Sequence, residues 1–578
     1  MGKKAKATRA TAVPLVGNVA AEAHGGAPFW VYILSFAALL YALFEVYGPA
    51  LHGPFVFDDL YLPYADPHAA SIPLRRWVGI RPVLGLSFWT DWQLWGRNTF
   101  PFHVMNLLLH FASAAVLFFV FRKLLALAQT AEPNRTILAA FGAALFLFHP
   151  IQTEVAAYVA SRSETLSVLF FLGAFCAFLY RKTQAISWPA TALVLFLFLL
   201  ALGSKEHTVT LPAILLLTDY FWNPGFTVSG IRQNARLYVL IVLLGLSGAV
   251  FALRYIVSDP MIGFHIAGLG PGTYFLTECR AVFKYLQLFV LPVSQNVDYD
   301  FALSHTPMEH GALLAFAGLL LLVAAAFLLR KMYPFAAYGF LAFLVLLSPT
   351  SSFIPINDVL VERRLYLPFF ALVLILFEPL RRVRIRPLYL ASGLALICFV
   401  AAFASWNRAH VWGNVTELFR DAAAKSAGKP RVHIGYANAL YHEGHCAQAV
   451  EEYLAATRLQ TPDYVLYFNL GAAYDCTNQP DDAIMMLNRS NNLKAQANAF
   501  ALIGQIQSKH GRWEESLRSL QSSMELNPHF APAYAYRGGV YAAMGKPELA
   551  YENYLECLRW DPNNQLAQQG IASLKQRR

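Results

Sequence analysis

Long apolar runs fill the first two thirds of this 578-residue chain and constrain its fold more than any other feature. Most are close to the length that an α-helix needs to cross a bilayer. Hydrophobic residues make up 57% of the sequence and charged residues only 14%, which excludes a purely soluble enzyme and a disordered regulator. We therefore expect an all-α fold, with a polytopic membrane helix bundle of about eleven transmembrane helices. The runs that predict these helices are 29–47, 101–121, 137–150, 164–180, 187–203, 208–222, 237–257, 311–329, 335–349, 365–380 and 387–404.

Basic residues between the runs predict the orientation of the chain. Clusters such as Arg122-Lys123 and Arg330-Lys331 mark cytoplasmic loops, because Lys and Arg resist translocation. Residues 1–28 are accordingly expected to form a cytoplasmic basic N-terminus, followed by an uncleaved signal anchor. An odd number of spans then places the C-terminal region outside the cytoplasm. We expect a multi-pass protein of the plasma or inner membrane or of the endoplasmic reticulum, with its long loops in the periplasm or lumen.

The net charge and the cysteines point to no other class of protein. The chain carries a formal charge of +10, but the basic residues lie in short clusters beside apolar runs and no recognition motif accompanies them. We therefore expect no nucleic-acid partner. The six cysteines are scattered, without a C-x-x-C pair or a metal-ligand spacing, and we interpret them as small apolar residues that fill space.

A repeat begins after the last apolar run. Gly471, Gly504 and Gly538 recur at intervals of about 34 residues, with Tyr474 and Tyr541 three positions after their glycines. This spacing resembles the tetratricopeptide (TPR) pattern, in which helix pairs stack into a solenoid with a concave binding surface. Peptide or protein binding is the function that this pattern favours, and a spacer or dimerisation arm is the alternative. The predicted domains are 1–28, a transmembrane domain at 29–405 with a long first loop at 48–100, a linker or capping half-repeat at 406–429, and about four TPR repeats with a cap at 430–578.

Charged residues gather in the loops that are predicted to lie outside. Asp58 and Asp59 occur in the first loop, close to the bilayer, where an ionisable pair is a functional candidate by default. Such a carboxylate can act as the general base on an acceptor hydroxyl, and a solvated loop pair or a helix cap is the alternative. Arg and Lys nearby can bind phosphate oxygens, and the sequence has no P-loop or G-x-G-x-x-G motif. These features favour a lipid-linked phosphate donor over a nucleotide sugar.

The ordered motifs resemble those of a known enzyme family. Phe57-Asp58-Asp59, Arg81-Pro82, the segment 148–154 and Glu362-Arg363-Arg364 are similar to motifs of the GT-C glycosyltransferases of the TPR-bearing transmembrane O-mannosyltransferase type. The resemblance implies an inverting transfer of a monosaccharide from a polyprenyl- or dolichyl-phosphate donor to Ser or Thr hydroxyls of secreted or membrane proteins. It also implies that the TPR array recruits the acceptor or a partner protein.

The resemblance assigns a role to each candidate residue. Asp58 is the expected base and Asp59 assists it. Where the family has Glu-Arg-aliphatic, this chain has Glu362-Arg363-Arg364, so the choice of the phosphate-binding arginine stays open. The candidates for binding the donor phosphate are Arg81, Arg162, Lys205, Arg363 and Arg364. The residues expected to line the pocket are His103, His110, His149, Glu154, Glu206, Glu362 and Tyr366.

Two other functions and one metal question stay open at this point. The acceptor of the sugar could be a lipid or a polysaccharide, and the chain could be a non-catalytic membrane-anchored TPR scaffold. Asp58 and Asp59 offer the oxygen ligands that Mg²⁺ or Mn²⁺ prefers. Members of the family that use monosaccharyl lipid phosphates mostly work without a divalent ion, so we expect none.

Overall fold

The structure is a computed structural model that describes residues 29–245, 263, 266 and 268–576. It divides into two compact units, one ending at Leu418 and the other beginning at Phe419. Every regular element of the described residues is helical. The predicted N-terminus at 1–28 and the second half of the run 237–257 lie outside the described residues.

The first unit contains the apolar helices. Five helical segments are long and apolar enough to cross a membrane, or six if the bent pair Asn134–Phe148 and Pro150–Ala157 is one span. Shorter apolar helices accompany them, so the chain is a membrane protein and the count of about eleven spans stays a prediction. The helices are α1 Phe29–Tyr47, α2 Leu74–Val78, α3 Pro82–Trp95, α4 Thr99–Leu127, α5 Asn134–Phe148, α6 Thr153–Ala157, α7 Arg162–Leu179, α8 Trp188–Leu202, α9 Leu211–Trp222, α10 Ser229–Gln233, α11 Ala235–Gly245, α12 Pro271–Val290, α13 Ala312–Leu329, α14 Pro334–Leu347, α15 Phe369–Leu380 and α16 Pro387–Trp412.

The packing of this unit centres on α4. Leu107, Leu117 and Phe121 of α4 are buried where the helix packs against α5 and α7. Gly142 of α5 permits this approach, because a Cβ atom there would lie 2.8 Å from the Phe121 ring and 2.7 Å from Phe377. α13 and α16 expose most of their apolar side chains, as expected for helices whose solvent is lipid.

A bend between α5 and α6 brings polar residues to one end of the bundle. His149 has extended backbone angles because it precedes Pro150, and the residue before a proline is driven out of the helical region. The chain then turns through a 3-10 helix at Pro150–Gln152 into α6. The two helices meet at 50°, which places Glu154 beside the loop that carries Arg363.

The second unit is a solenoid of antiparallel helix pairs. Close packing within a pair depends on glycine, since a Cβ at Gly504 would lie 2.6 Å from Leu520 and one at Gly471 would lie 2.8 Å from Leu487. The first helices of the four pairs begin at Pro430, Tyr464, Ala497 and Ala531, at intervals of 33 or 34 residues. The helices are α17 Val415–Lys425, α18 Pro430–His442, α19 Cys446–Leu459, α20 Tyr464–Cys476, α21 Pro480–Leu493, α22 Ala497–Lys509, α23 Trp513–Leu526, α24 Ala531–Ala543, α25 Pro547–Trp560 and α26 Gln565–Gln576.

Two cysteines of the solenoid form a disulfide, so the interpretation of all six as apolar fillers is wrong for this pair. Cys446 begins α19 and Cys476 ends α20, and their Cα atoms lie 5.9 Å apart. The bond joins the second helix of the first repeat to the first helix of the second repeat. Cys176, Cys279, Cys398 and Cys557 are free thiols.

The disulfide is expected to stabilise the first two repeats. It closes a loop with a sequence separation of 30 residues, and constraining a loop of that length in the unfolded chain contributes about 3.6 kcal/mol to the free energy of unfolding. A reductant should therefore lower the unfolding temperature of the purified protein, and the double variant Cys446→Ala/Cys476→Ala should unfold early without any response to reductant. The matched control is Cys557→Ala, which removes a free thiol and should keep the response. Equal reductant sensitivity in the double variant would contradict this assignment.

Candidate active site

The paired carboxylates lie on one turn but in different surroundings. Asp58 and Asp59 belong to a 3-10 helix at Phe57–Tyr61. The side chain of Asp59 is fully buried, its Oδ1 accepts a hydrogen bond from the Tyr64 hydroxyl at 2.7 Å, and its Oδ2 accepts from the Val56 amide at 3.1 Å. Asp58 is exposed. The structure therefore separates a carboxylate that holds the turn from one that faces outward.

Backbone strain marks the start of this turn. Phe57 has φ of +50°, a region that an aromatic residue rarely adopts because its Cβ crowds the backbone. Such a conformation costs about 1–3 kcal/mol and persists only where neighbouring contacts hold it. Here the amide of Asp58 donates to the Tyr158 hydroxyl at 2.8 Å, and the Phe57 ring packs edge-on against Tyr158. These contacts hold the backbone of Phe57 and Asp58 at the start of the turn.

Burial changes the acidity of Asp59. It raises the pKa of Asp59 to about 7, although the hydrogen bonds from Tyr64 and Val56 favour the charged form, and the nearby charge of Asp58 adds to the increase. Asp59 therefore takes up a proton near neutral pH while both of its oxygens remain engaged with the protein.

Tyr158 is a residue of this site that the sequence reasoning missed. It is buried, and its ring stacks on Trp412 with centroids 6.0 Å apart. Burial raises the pKa of its hydroxyl well above the ordinary value; the charges of Asp58 and Asp59 act in the same direction, and that of Arg363 opposes them. The charges of the acidic turn and of the Arg363 guanidinium both act on this hydroxyl. The only sequence signal was its place between the motif residues Glu154 and Arg162.

All five predicted cations carry a carboxylate partner from another segment, and the pairs of Arg363, Lys205 and Arg81 are described first. Arg363 Nη1 lies 2.7 Å from Glu154 Oε1, and the Arg363 amide donates to the other oxygen at 3.0 Å. Lys205 Nζ lies 2.6 Å from Glu164 Oε1. The third pair is Arg81 with Glu206, joined by two bonds of 2.8 and 2.9 Å.

Two of these cations, Arg81 and Arg363, act on the third, Lys205. Burial lowers the pKa of Lys205, the charges of Arg81 and Arg363 lower it further, and Glu164 opposes them. We call Arg81, Lys205 and Arg363 the cation cluster. Each member of the cluster is also paired with a glutamate, and cations that lower the pKa of a neighbour are electrostatically suited to share a bound anion.

The two arginines of the Glu-Arg-Arg motif have different surroundings. Arg363 belongs to the cation cluster, and 23% of its side chain is exposed. Arg364 is 6% exposed, binds the Val359 carbonyl at 2.9 Å and pairs with Glu278 of α12 at 3.4 Å. Of the two, Arg363 is the one placed to reach a ligand.

Glu362 holds a further segment in place. It is buried, and it accepts hydrogen bonds from Gln295 at 2.6 Å, from the Asn296 amide at 2.8 Å and from Tyr299 at 2.7 Å. Burial raises its pKa to about 6. The three consecutive residues of the motif thus bind three separate parts of the chain.

Arg162 is fully buried and its donors are engaged by protein groups. It pairs with Asp91 at 2.5 Å and donates to Asn106 Oδ1 and to the Phe102 carbonyl, both at 2.9 Å. Asp91 lies on α3 in the first loop, and Asn106 lies on α4. Arg162 therefore ties the first loop to the helix bundle.

The three predicted histidines bind protein groups at the same end of the bundle. His103 Nε2 lies 3.0 Å from the Gly53 carbonyl, and His149 lies 3.0 Å from the Phe289 carbonyl. His110 lies 2.9 Å from the hydroxyl of Tyr366. Among the described residues, no group of three or more His, Cys, Asp or Glu side chains is arranged to hold a metal ion.

The fold and site together define a class: a helical membrane protein whose polar loops surround an acidic turn and a cation cluster, followed by a TPR solenoid. The predicted TPR fold is confirmed, since a tetratricopeptide repeat family model matches residues 531–564. The crystal structure of YrrB, a TPR protein, shares 20% identity, with coverage of 32% of this chain and 89% of that one and a TM-score of 0.25.

The similar proteins described next are all named protein O-mannosyl-transferases. Human protein O-mannosyl-transferase TMTC3 is 23% identical over 90% of this chain, and the mouse protein is 25% identical over the same share. Mouse protein O-mannosyl-transferase TMTC1 is 32% identical over 30% of this chain and 21% of its own length. The predicted resemblance to TPR-bearing transmembrane O-mannosyltransferases is thereby confirmed. The chain spans 63% of the length of either TMTC3 protein.

The raised pKa of Asp59 predicts a pH-dependent stability. A buried carboxyl whose folded-state pKa lies above its unfolded value stabilises the fold at low pH, and this stability is lost as the pH rises through the folded pKa, here about 7. The free energy of unfolding of the wild type should therefore fall by about 2–3 kcal/mol, relative to that of Asp59→Asn, between about pH 5 and about pH 8. Chemical unfolding of both proteins in detergent measures this difference. Glu278 and Glu362 are present in both proteins, so their titration cancels when the two are compared. Parallel pH curves would contradict the assignment.

Proposed function

We propose that the protein transfers a monosaccharide from a polyprenyl- or dolichyl-phosphate donor to Ser or Thr hydroxyls of secreted or membrane proteins. The observation that carries this proposal is an exposed carboxylate, Asp58, whose amide binds the Tyr158 hydroxyl, together with a cluster of cations one of which, Arg363, acts electrostatically on the same hydroxyl. The names of the relatives point to mannose as the sugar. We further propose that the enzyme is of the GT-C type.

The proposed reaction is a single displacement at the anomeric carbon. The acceptor oxygen forms a bond to that carbon as its proton moves to the Asp58 carboxylate, and the bond between the carbon and the phosphate oxygen breaks with its electron pair going to the phosphate. Attack opposite the leaving group inverts the anomeric configuration. Because Asp58 is exposed, it can pass the proton to water and return to the charged form.

The cation cluster is suited to the leaving group. The phosphate of the donor carries one negative charge and gains a second as the sugar departs, so fixed cations stabilise the transition state more than the ground state. The partners Glu154, Glu164 and Glu206 keep the cations in place without a ligand. We assign phosphate binding to Arg81, Lys205 and Arg363. Arg162 and Arg364 hold the surrounding segments.

The disulfide of the solenoid supports the proposed topology. Disulfides persist in oxidising compartments and are rare in the cytoplasm, and the cysteines of Cys446–Cys476 both lie in the C-terminal unit. We propose that this unit lies in the periplasm or lumen, with the N-terminus in the cytoplasm. The TPR surface would then meet secreted and membrane proteins, and it is proposed to recruit the acceptor or a partner.

Loss of the proposed base should abolish transfer. Asp58→Asn keeps the size of the side chain but cannot accept the proton, so we expect the rate of sugar transfer from a polyprenyl-phosphate mannose donor to fall by about 10²–10⁴. Purified protein in nanodiscs, a Ser- and Thr-containing acceptor and a radiolabelled donor measure this rate.

The matched control is Asp66→Asn, in the same loop, whose carboxylate accepts from the His68 amide at 2.7 Å. It should leave the rate within about twofold. Equal rates for Asp58→Asn and the wild type would remove Asp58 as the base. Transfer to a lipid or polysaccharide with none to protein would instead favour the alternative acceptor.

The proposed topology predicts the state of the cysteines in intact cells. When cells are lysed in excess maleimide without reductant, Cys446 and Cys476 should remain unlabelled, and both should become labelled after reduction. Mass spectrometry of the peptides identifies the labelled sites. Cys557 of the same unit is the control, because its free thiol should be labelled on denaturation without reduction. Full labelling of all three before reduction would place the solenoid in a reducing compartment.

A further inference from the structure

The Tyr158 hydroxyl has an unused donor next to the proposed reaction. A phenol offers one hydrogen to donate and lone pairs to accept with. The hydroxyl oxygen of Tyr158 accepts a hydrogen bond of 2.8 Å from the Asp58 amide. Within the described parts of the chain, no protein acceptor lies against its hydrogen. A buried polar group without a partner is costly, so this hydrogen is suited to an oxygen that arrives with a ligand.

The position of the hydroxyl is set from several sides. The ring contacts Phe57 edge-on and stacks with Trp412. Tyr158 also ends α6, the short helix whose Glu154 binds Arg363. The hydroxyl is therefore fixed relative to both the acidic turn and the cation cluster, and little reorientation is needed before it can donate.

From this geometry we infer that the Tyr158 hydroxyl donates a hydrogen bond to an oxygen of the phosphate that leaves the sugar. The inference rests on the proposed function and adds Tyr158 to the residues that contact the donor. The tyrosine keeps its proton throughout: the electron pair of the broken bond stays on the phosphate oxygen, and the acceptor proton goes to Asp58.

The phosphate is a better partner for this hydrogen than the acceptor hydroxyl. The attacking oxygen needs its lone pair for the new bond, and a hydrogen bond donated to that oxygen would reduce its nucleophilicity. The phosphate oxygen gains negative charge during the reaction, so a donor aimed at it stabilises the transition state. The charge of Arg363, which is proposed to bind the phosphate, also acts on the Tyr158 hydroxyl.

Binding of the phosphate alone separates this role from a purely structural one. The probe is a polyprenyl phosphate without sugar, titrated into the full-length protein in nanodiscs. Tyr158→Phe should weaken its binding about tenfold or more, since hydrogen bonds to charged groups are among the stronger ones. The matched control is Tyr64→Phe, which removes the hydroxyl that holds Asp59 on the same turn and should leave the affinity within about twofold. Equal affinity for Tyr158→Phe and the wild type would overturn the inference.

A second replacement covers the case in which Tyr158→Phe does not fold. Incorporation of 3-fluorotyrosine at position 158 keeps the ring, makes the hydroxyl a stronger donor and makes its oxygen a weaker acceptor for the Asp58 amide. A hydrogen bond to phosphate predicts tighter binding of polyprenyl phosphate. If the hydroxyl only supports the turn, binding should weaken or stay unchanged, and that result contradicts the inference.

The same titrations distinguish failure of the inference from failure of the proposed function. If the wild type binds polyprenyl phosphate, Arg363→Gln does not, and Tyr158→Phe binds as the wild type does, the donor site stands and the role of Tyr158 is overturned. If the wild type neither binds polyprenyl phosphate nor transfers sugar from any polyprenyl-phosphate donor, the proposed function and the inference both fail.

Discussion

Ion pairs between distant segments hold the polar end of the membrane unit together. A charge that leaves water is costly unless a partner compensates it, and removing one member of a buried pair costs about 3–5 kcal/mol. Arg363 therefore needs Glu154, which lies more than two hundred residues earlier in the chain. Lys205 needs Glu164 for the same reason. Because each pair joins two separate segments of the chain, the pairs that keep the cations in place also bring these segments into one site.

Local environment gives two neighbouring aspartates different properties. Asp59 has no exposed surface and two protein donors, so it holds the turn and responds to pH near neutrality. Asp58 lies one position before Asp59 on the same 3-10 helix. One step along this helix turns the side chain to a different side, and Asp58 is exposed. The strained Phe57 and the buried Tyr158 maintain that difference. A general base needs access to substrate and solvent, and the other carboxylate supplies the rigidity.

The features that were predictable from the sequence are those with a period or an ordered motif. The repeat of about 34 residues predicts the start of each TPR helix pair, because every unit must place a small residue where its helices meet. The apolar runs predict the helical membrane unit, but run length alone does not count the spans, since bends such as that at Pro150 divide them. The disulfide between Cys446 and Cys476 has no such signal, because it depends on how consecutive repeats pack.

Within the site, the residue types were predictable and their roles depended on burial. Arg162 and Arg363 look alike in the sequence, yet Asp91 and Asn106 engage the first while the second stays partly exposed beside two other cations. Tyr158 could not be identified as a site residue from its type, since tyrosines are common in apolar segments. It becomes one because Asp58 donates to it and its own hydrogen is left to face the charges around it. A donor that is held in place and has no acceptor for its hydrogen among the described residues is suited to stabilise charge that appears only during a reaction.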